Sequence, residues 1–277
     1  MRILVTNDDG IDSIGLHELV RAMCDLDGGH QIVVAAPDRE FSGAGAALGA
    51  LHELTPTVQR SSIPDCEAET WTVDGPPGLC VMFARLGVFG DPFELIVSGI
   101  NPGANVGRAV YHSGTIGAAL TGRNGYVSGV AVSQGVSGFS AEGQAWEDVI
   151  GTIDWAPGAH IAQRVVQALV DDLPSDPVVV NINVPDRPIA EMKGWRLAQV
   201  GVQPPRTVAS ADLVPIEGRP DAFTVAMNWG EKLDVDPVTD SGLIEDGYVT
   251  MSYLSRLDHE DRSDMGHADA SLDALFS

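Results

Sequence analysis

Basic residues are scarce in this 277-residue chain: 16 Lys and Arg stand against 39 Asp and Glu, a formal net charge of −23. That deficit argues against a nucleic-acid polymer or an anionic membrane surface as partner, because both need clustered Lys and Arg to neutralise phosphates. It also means that the overall field does not steer an anionic substrate inward, so a local cation or oriented backbone amides must hold it. Cysteine is nearly as rare. Cys24, Cys66 and Cys80 are odd in number and widely spaced, with no C-x-x-C pair and no His cluster, which argues against a disulfide framework or structural zinc. Cys24 and Cys80 fall within apolar, helix-like stretches and read as small buried hydrophobes. No window approaches 18 uninterrupted apolar residues, and acids at positions 8 and 9 replace any positive-then-apolar leader, so the expected location is the cytoplasm. A G-x-G-x-x-G fingerprint is missing after the first apolar run, and Gly43-Ala44-Gly45 lacks the third glycine, which counts against a dinucleotide cofactor. A G-x-x-x-x-G-K-S/T loop is missing too, which excludes P-loop nucleotide binding.

What is present is the composition of a globular chain, 44% hydrophobic and 20% charged, long enough for one large domain or a domain with an appendage. Short apolar runs alternate with stretches of 3.6-residue periodicity, the pattern of parallel strands buried under crossover helices. Strands are expected at Ile3 to Thr6, Ile32 to Ala36, Leu95 to Ser98, Val130 to Ser133 and Val178 to Ile182. Helices are expected from Leu16 through Cys24, at Ile116 to Leu120 and at His160 to Leu173, with Asp12 and Ser13 as a start signal for the first. Beyond Pro185 the pattern changes to short strand candidates, Phe223 to Met227 and Tyr248 to Tyr253, between Pro, Gly and Asp. The expected organisation is an α/β core over residues 1–200 and a β-rich extension over 201–258. An acidic, weakly periodic tail over 259–277 has the composition of a frayed end.

The chemistry concentrates where the first apolar run stops, in Asn7-Asp8-Asp9-Gly10. Ligands of open α/β sheets bind outside the carboxyl ends of the strands, so Asp8 and Asp9 stand at the usual chemical site. Strand geometry would send them to opposite faces, so their convergence needs a departure from β geometry that Gly10 permits without steric cost. Two unit charges about 4 Å apart at an effective dielectric of about 20 repel by roughly 4 kcal/mol, which a bound cation would remove. The alternative is a turn that caps the next helix.

Three more loops follow strand ends. Ala36-Pro37-Asp38-Arg39-Glu40-Phe41-Ser42-Gly43 offers the Ser42 hydroxyl beside a flexible backbone, although a turn serine has the same surroundings. Ser98-Gly99-Ile100-Asn101-Pro102-Gly103-Ala104-Asn105 presents Asn101 and Asn105, whose amides suit a hard cation or phosphate oxygens and are also ordinary turn residues. In Tyr111-His112-Ser113-Gly114-Thr115, Ser113 can cap a helix whose free N–H groups at Gly114 and Thr115 would receive an anion.

Together these segments resemble the SurE family of metal-dependent 5'-nucleotidases, also called survival protein E. The resemblance is carried by Ile3 to Gly10, Ala36-Pro37-Asp38-Arg39 with Ser42-Gly43, Val97 to Asn105, and Ser113-Gly114-Thr115, in matching order and spacing. It continues more weakly through Asn181-Ile182-Asn183-Val184-Pro185, Thr239-Asp240 and Gly247-Tyr248-Val249, so it spans about residues 1 to 257. The resemblance implies a Rossmann-like three-layer α/β sandwich with a mainly parallel sheet. It also implies a homodimer or homotetramer in which the extension beyond residue 200 reaches a partner subunit. Carried over by position, Asp8, Asp9, Ser42 and Asn101 hold one divalent cation per subunit, and Asn7, Asn105, Ser113, Gly114 and Thr115 contact phosphate or substrate. An all-oxygen donor set without Cys or His favours Mg²⁺ or Mn²⁺ over zinc.

The implied activity is hydrolysis of nucleoside 5'-monophosphates, with 3'-nucleotides and short polyphosphate as further substrates. In the expected mechanism the cation polarises the phosphoryl group and activates a water for in-line attack, while Asp8 or Asp9 orients that water. Backbone amides at Gly114 and Thr115 offset equatorial charge, and His112 is a candidate general acid. A haloacid-dehalogenase-type phosphatase needs a D-x-D nucleophile that this chain lacks. A non-catalytic metal-dependent nucleotide-binding module is the other alternative. Two stretches depart from the family pattern, Gly75-Pro76-Pro77-Gly78-Leu79-Cys80 and Thr121-Gly122-Arg123. Val136 to Pro157 is long for the family and reads as an altered rim or lid.

Overall fold

The computed structural model describes residues 1–49, 51, 55–136, 149–255, 257, 264 and 266–276. The expected rim between Val136 and Pro157 falls mostly on residues 137–148, outside the described residues. Nine strands form one sheet: β1 (Arg2–Thr6), β2 (Gln31–Pro37), β3 (Val58–Ile63), β4 (Cys66–Val73), β5 (Leu95–Pro102), β6 (Ser128–Gln134), β7 (Val179–Val184), β8 (Trp195–Leu197) and β11 (Val249–Leu254). Their order is β3-β4-β2-β1-β5-β6-β7-β11-β8. The central strands run parallel, whereas β3 on β4 and β11 on β7 are antiparallel. The chain leaves β1 for β2 on one side and returns to β5 on the other, so the loops after β1 and β5 open at a topological switch point.

The apolar run at the N-terminus is continuous because both faces of β1 are covered. Ile3 and Val5 face α1 (Ile14–Cys24) and α4 (Ala156–Asp171), within a core that includes Leu16, Leu19, Val97, Trp155 and Val166. Leu4 faces the opposite side, with Val33, Ile96 and the apolar residues of α2 (Pro77–Arg85), against which α3 (Gly114–Asn124) packs. That alternation makes the expected three-layer α/β sandwich. Full burial of side chains such as Ile3, Leu4 and Leu16 contributes about 1.5–3 kcal/mol each.

The sequence pattern did not identify β3 and β4. Their exposed Gln59, Arg60, Ser61 and Glu67 dilute the apolar signal at the sheet edge, where such residues are tolerated. Cys80 is fully buried in α2 as expected, but Cys24 is exposed at the end of α1, its Sγ 3.2 Å from Sγ of Cys66. Periodicity alone had placed Cys24 inside; its position in the last turn of α1 puts it at the rim. Ser13 takes the helix N-cap position without a side-chain capping bond.

The segment expected as an extension divides. Val208–Ile216 (β9) and Arg219–Trp229 (β10) form a separate antiparallel hairpin, whereas β11 returns to the main sheet beside β7. Between them lies α5 (Asp240–Glu245). In the tail, Gly266–Phe276 forms a helix, α6, where the weak periodicity had suggested a frayed end.

Helix α1 lies unusually close to the loop end of β5. A Cβ on Gly15 would stand 2.3 Å from the carbonyl oxygen of Ile100 and 3.1 Å from the Trp155 ring. Gly15→Ala should therefore cost about 1–3 kcal/mol by overpacking. Thermal unfolding should report it as a fall of about 2–4 °C per kcal/mol; an unchanged Tm would mean that α1 is free to shift.

Candidate active site

The site begins where β1 ends. Asn7 is fully buried, Asp8 is 2% exposed and Asp9 is half-buried. Gly10 has φ +95°, the left-handed region that favours glycine, and its Cα faces the backbone of Arg39 so closely that a Cβ would meet it at 3.1 Å. The bend expected from Gly10 is thus present, and Asn7 braces it by donating from Nδ2 to the Gly10 carbonyl at 2.9 Å.

Asp8 lies against the start of α3. The Thr115 hydroxyl donates to its Oδ1, and a Cβ on Gly114 would fall 2.7 Å from Asp8 Cβ, so only glycine fits there. Burial raises the Asp8 pKa from its ordinary value, opposed by the Thr115 hydroxyl and by backbone N–H groups of Thr115 and Gly114. The helix N-terminus that reads in the sequence as an anion pocket therefore faces an acid of the chain itself. Ser113 takes the N-cap, its Oγ accepting from the Ile116 N–H at 3.1 Å. His112 is exposed beside this turn.

Burial pushes Asp9 well above the usual carboxylate range, and the charges of Asp8 and Glu40 push it further. Its Oδ2 and the Oδ1 of Asn7 are buried without a hydrogen-bond partner among the described residues. Among the described residues no Lys or Arg pairs with Asp8 or Asp9; Arg39, whose backbone lies against Gly10, is taken by Asp38 at 2.8 Å and Asp74 at 2.9 Å. A buried carboxylate beside a half-buried one that keeps an orphaned oxygen, with no cationic partner among the described residues, forms the surroundings of a missing positive charge.

The loop after β2 comes to the same place. The Phe41 N–H donates to the Asp8 carbonyl at 2.7 Å, which brings exposed Ser42 alongside. The Gly45 N–H donates to the His112 carbonyl at 2.9 Å, and a Cβ on Gly117 would strike the Gly45 carbonyl oxygen at 2.0 Å, so this loop is clamped against α3.

Asn101 extends from β5, three residues past Ser98, which pairs with Thr6 of β1. Its Nδ2 donates to the Gly103 carbonyl at 2.7 Å, a bond that fixes the amide plane. Asn105 is turned more inward. Its Nδ2 donates to Ser133 Oγ at 2.8 Å and its N–H to Asn183 Oδ1 at 2.7 Å, while its carbonyl accepts from Asn181 and Asn183. The sequence reasoning overlooked the Thr115 contact to Asp8 and the asparagine network on β7. The alternating Asn181 and Asn183 in an otherwise apolar strand were the available signal.

The two departures from the family pattern meet in space. Pro76 and Pro77 start α2, and a Cβ on Gly78 would approach the Ala47 carbonyl oxygen at 2.7 Å and Thr121 Oγ1 at 3.3 Å. They shape the packing of α2 and α3 behind the 42–48 loop and touch none of the four candidate metal ligands.

A family model described as survival protein SurE matches residues 3–206. The 5'-nucleotidase SurE of Synechococcus is 33% identical over 258 residues, 92% of this chain and 91% of that protein. The 5'-nucleotidase SurE of Vibrio cholerae serotype O1 is 32% identical over 272 residues, 96% of this chain and 97% of that protein. The crystal structure of the SurE protein from Aquifex aeolicus matches with a TM-score of 0.69 and 25% identity, covering all of both chains.

Asp8 and Asp9 bind their protons more tightly folded than unfolded. The stability they contribute is therefore fully present below the ordinary carboxylate range and is lost as pH rises through their raised folded values. Metal-free protein should gain more thermal stability as pH falls from neutrality toward the ordinary carboxylate range than its Asp9→Asn variant, which keeps the other acids as a control. Mn²⁺ should stabilise the wild type more at the higher pH, because protons compete for the same oxygens. Identical pH dependence in the two proteins would contradict this electrostatic reading.

Proposed function

The chain belongs to the survival protein SurE family, and from that premise we propose that it is a divalent-metal-dependent phosphomonoesterase acting on nucleoside 5'-monophosphates. The observation that carries the reading is the Asp8–Asp9 pair, one buried and one half-buried, with an unpartnered carboxylate oxygen and no Lys or Arg pairing with it among the described residues. In this reading Asp8, Asp9, Ser42 and Asn101 hold one Mg²⁺ or Mn²⁺, and their all-oxygen donors suit a hard ion. When bound, the ion supplies Lewis acidity to the phosphoryl oxygens and a water activated near neutral pH.

The chain's own groups do the rest. Thr115 keeps Asp8 in one orientation, so Asp8 acts chiefly as a ligand. Asp9 has the oxygen free of hydrogen bonds, and we assign it the orientation of the attacking water. Asn7, Asn105 and the Ser113-Gly114-Thr115 turn are assigned to phosphate and substrate. His112 is assigned proton delivery to the leaving alkoxide, supported by its exposure beside that turn.

We also assign the chain a cytoplasmic setting and a homodimeric or homotetrameric assembly. Among the described residues no helix is long and apolar enough to cross a membrane. The hairpin β9–β10 supports the assembly: Leu213, Phe223, Val225, Met227 and Trp229 are all exposed on it, a surface that suits an arm reaching a second copy. The domain division that follows is a catalytic core over residues 1–200, an arm within 201–258 and a terminal segment from 259.

Phosphate release from 5'- and 3'-nucleotides, short polyphosphate and p-nitrophenyl phosphate tests the activity. The 5'-nucleotides should be hydrolysed with Mn²⁺ or Mg²⁺ and not with EDTA. Asp8→Asn should lower kcat/KM on the order of 100-fold or more without unfolding the protein. A folded preparation that binds metal and nucleotides yet turns none of them over would establish the non-catalytic binding module instead.

A further inference from the structure

We propose that Asp240 is a positioning residue for the loop that presents Asn101 and Asn105, holding it from behind through the backbone of Gly107. The inference rests on the reading of that loop as part of the metal and phosphate site. Asp240 is fully buried at the start of α5. Its Oδ1 accepts the N–H of Gly201 at 2.8 Å and of Ser241 at 2.7 Å, and the N–H of Gly107 is shared between the two oxygens, 3.1 Å from Oδ2 and 3.3 Å from Oδ1. One carboxylate thus joins three chain segments, and the charge that it buries is offset by backbone donors.

The other holds fall at Gly103, whose N–H reaches the Gln134 carbonyl at 2.7 Å, and at Asn105, bonded by Ser133, Asn181 and Asn183. Asp240 holds the far end of the loop, at Gly107. Gly107 itself is constrained. Its φ is +54°, and a Cβ would lie 2.4 Å from the carbonyl carbon of Gln203. The segment that approaches there continues into the β9–β10 hairpin, so Asp240 ties the base of the proposed arm to a site loop.

Of the three backbone donors only Gly107 uses Oδ2, and that is its shorter contact. In Asp240→Asn the remaining Oδ1 can keep Gly201 and Ser241, while the new amide nitrogen replaces the nearer acceptor of the Gly107 N–H with a donor and leaves it only the longer contact to Oδ1. The test compares Asp240→Asn with Val166→Ala, a core truncation in α4 remote from the loop, by amide exchange, Mn²⁺ affinity and turnover of p-nitrophenyl phosphate. For Asp240→Asn, exchange across residues 103–111 should rise, Mn²⁺ affinity should fall about tenfold, and kcat should fall more than KM changes. Val166→Ala should lower Tm and leave the loop's exchange and the Mn²⁺ affinity unchanged. Wild-type exchange and affinity in Asp240→Asn, or the same changes in Val166→Ala, would overturn the proposal. Should Asp240→Asn not fold, the wild type decides: a Gly107 amide that exchanges as freely as an open loop overturns the proposal, and a protected one supports it. If the wild type hydrolyses no phosphoester, the proposed activity fails while the exchange and Mn²⁺ measurements still decide the role of Asp240.

Discussion

Asp8 and Asp9 are adjacent, the first buried and the second half-buried, without a cationic side chain among the described residues to neutralise them, and that electrostatic debt organises the site around them. At an effective dielectric of about 20, two such charges about 4 Å apart repel by roughly 4 kcal/mol before their desolvation is considered. A chain under no functional demand would replace one of the pair or bring an arginine to it. Here Arg39 is engaged by Asp38 and Asp74 instead, and Glu40 adds negative charge facing Asp9. The local partners are neutral: the Thr115 hydroxyl and the amides at the start of α3. They lessen the cost of charge on Asp8 and leave Asp9 with an oxygen that nothing among the described residues satisfies.

The fold makes that concentration of charge possible by surrounding it with rigid elements. Residues of β1 alternate between two separate cores, so the strand cannot slip or rotate, and its last side chains are delivered to one point beside β5. Close approaches at Gly114 and Gly117 lock the start of α3 to Asp8 and to the 41–45 loop. A buried lattice of Asn105, Ser133, Asn181 and Asn183 secures the remaining loop. Buried hydrogen bonds linked in this way favour a single arrangement of the loop.

Much of this was legible in the residues. The parallel strands β1, β2, β5, β6 and β7 announce themselves as β-branched runs, and Gly10 announces the bend that turns two neighbouring acids into a pair. The edge strand β3 and its neighbour β4 were not legible, because strands toward a sheet margin need not be apolar. Nor was the return of β11 to the main sheet, since period-two alternation carries no information about which strand is the neighbour. The destination of Ser113-Gly114-Thr115 was half legible. The Ser cap followed from sequence, whereas the approach of Asp8 to the same helix end is a long-range contact that depends on packing. Asp240 shows the limit most clearly, for its partners at positions 107 and 201 are backbone groups, which leave no trace in side-chain pattern.

The central claim is that this pair of acids is half of a cation site. Crystals equilibrated with Mn²⁺ and measured near the manganese absorption edge test it most directly. The account predicts one anomalous peak per subunit, about 2.0–2.6 Å from oxygens of Asp8, Asp9, Ser42 and Asn101. A map with no peak there, or with manganese held only elsewhere, would contradict it.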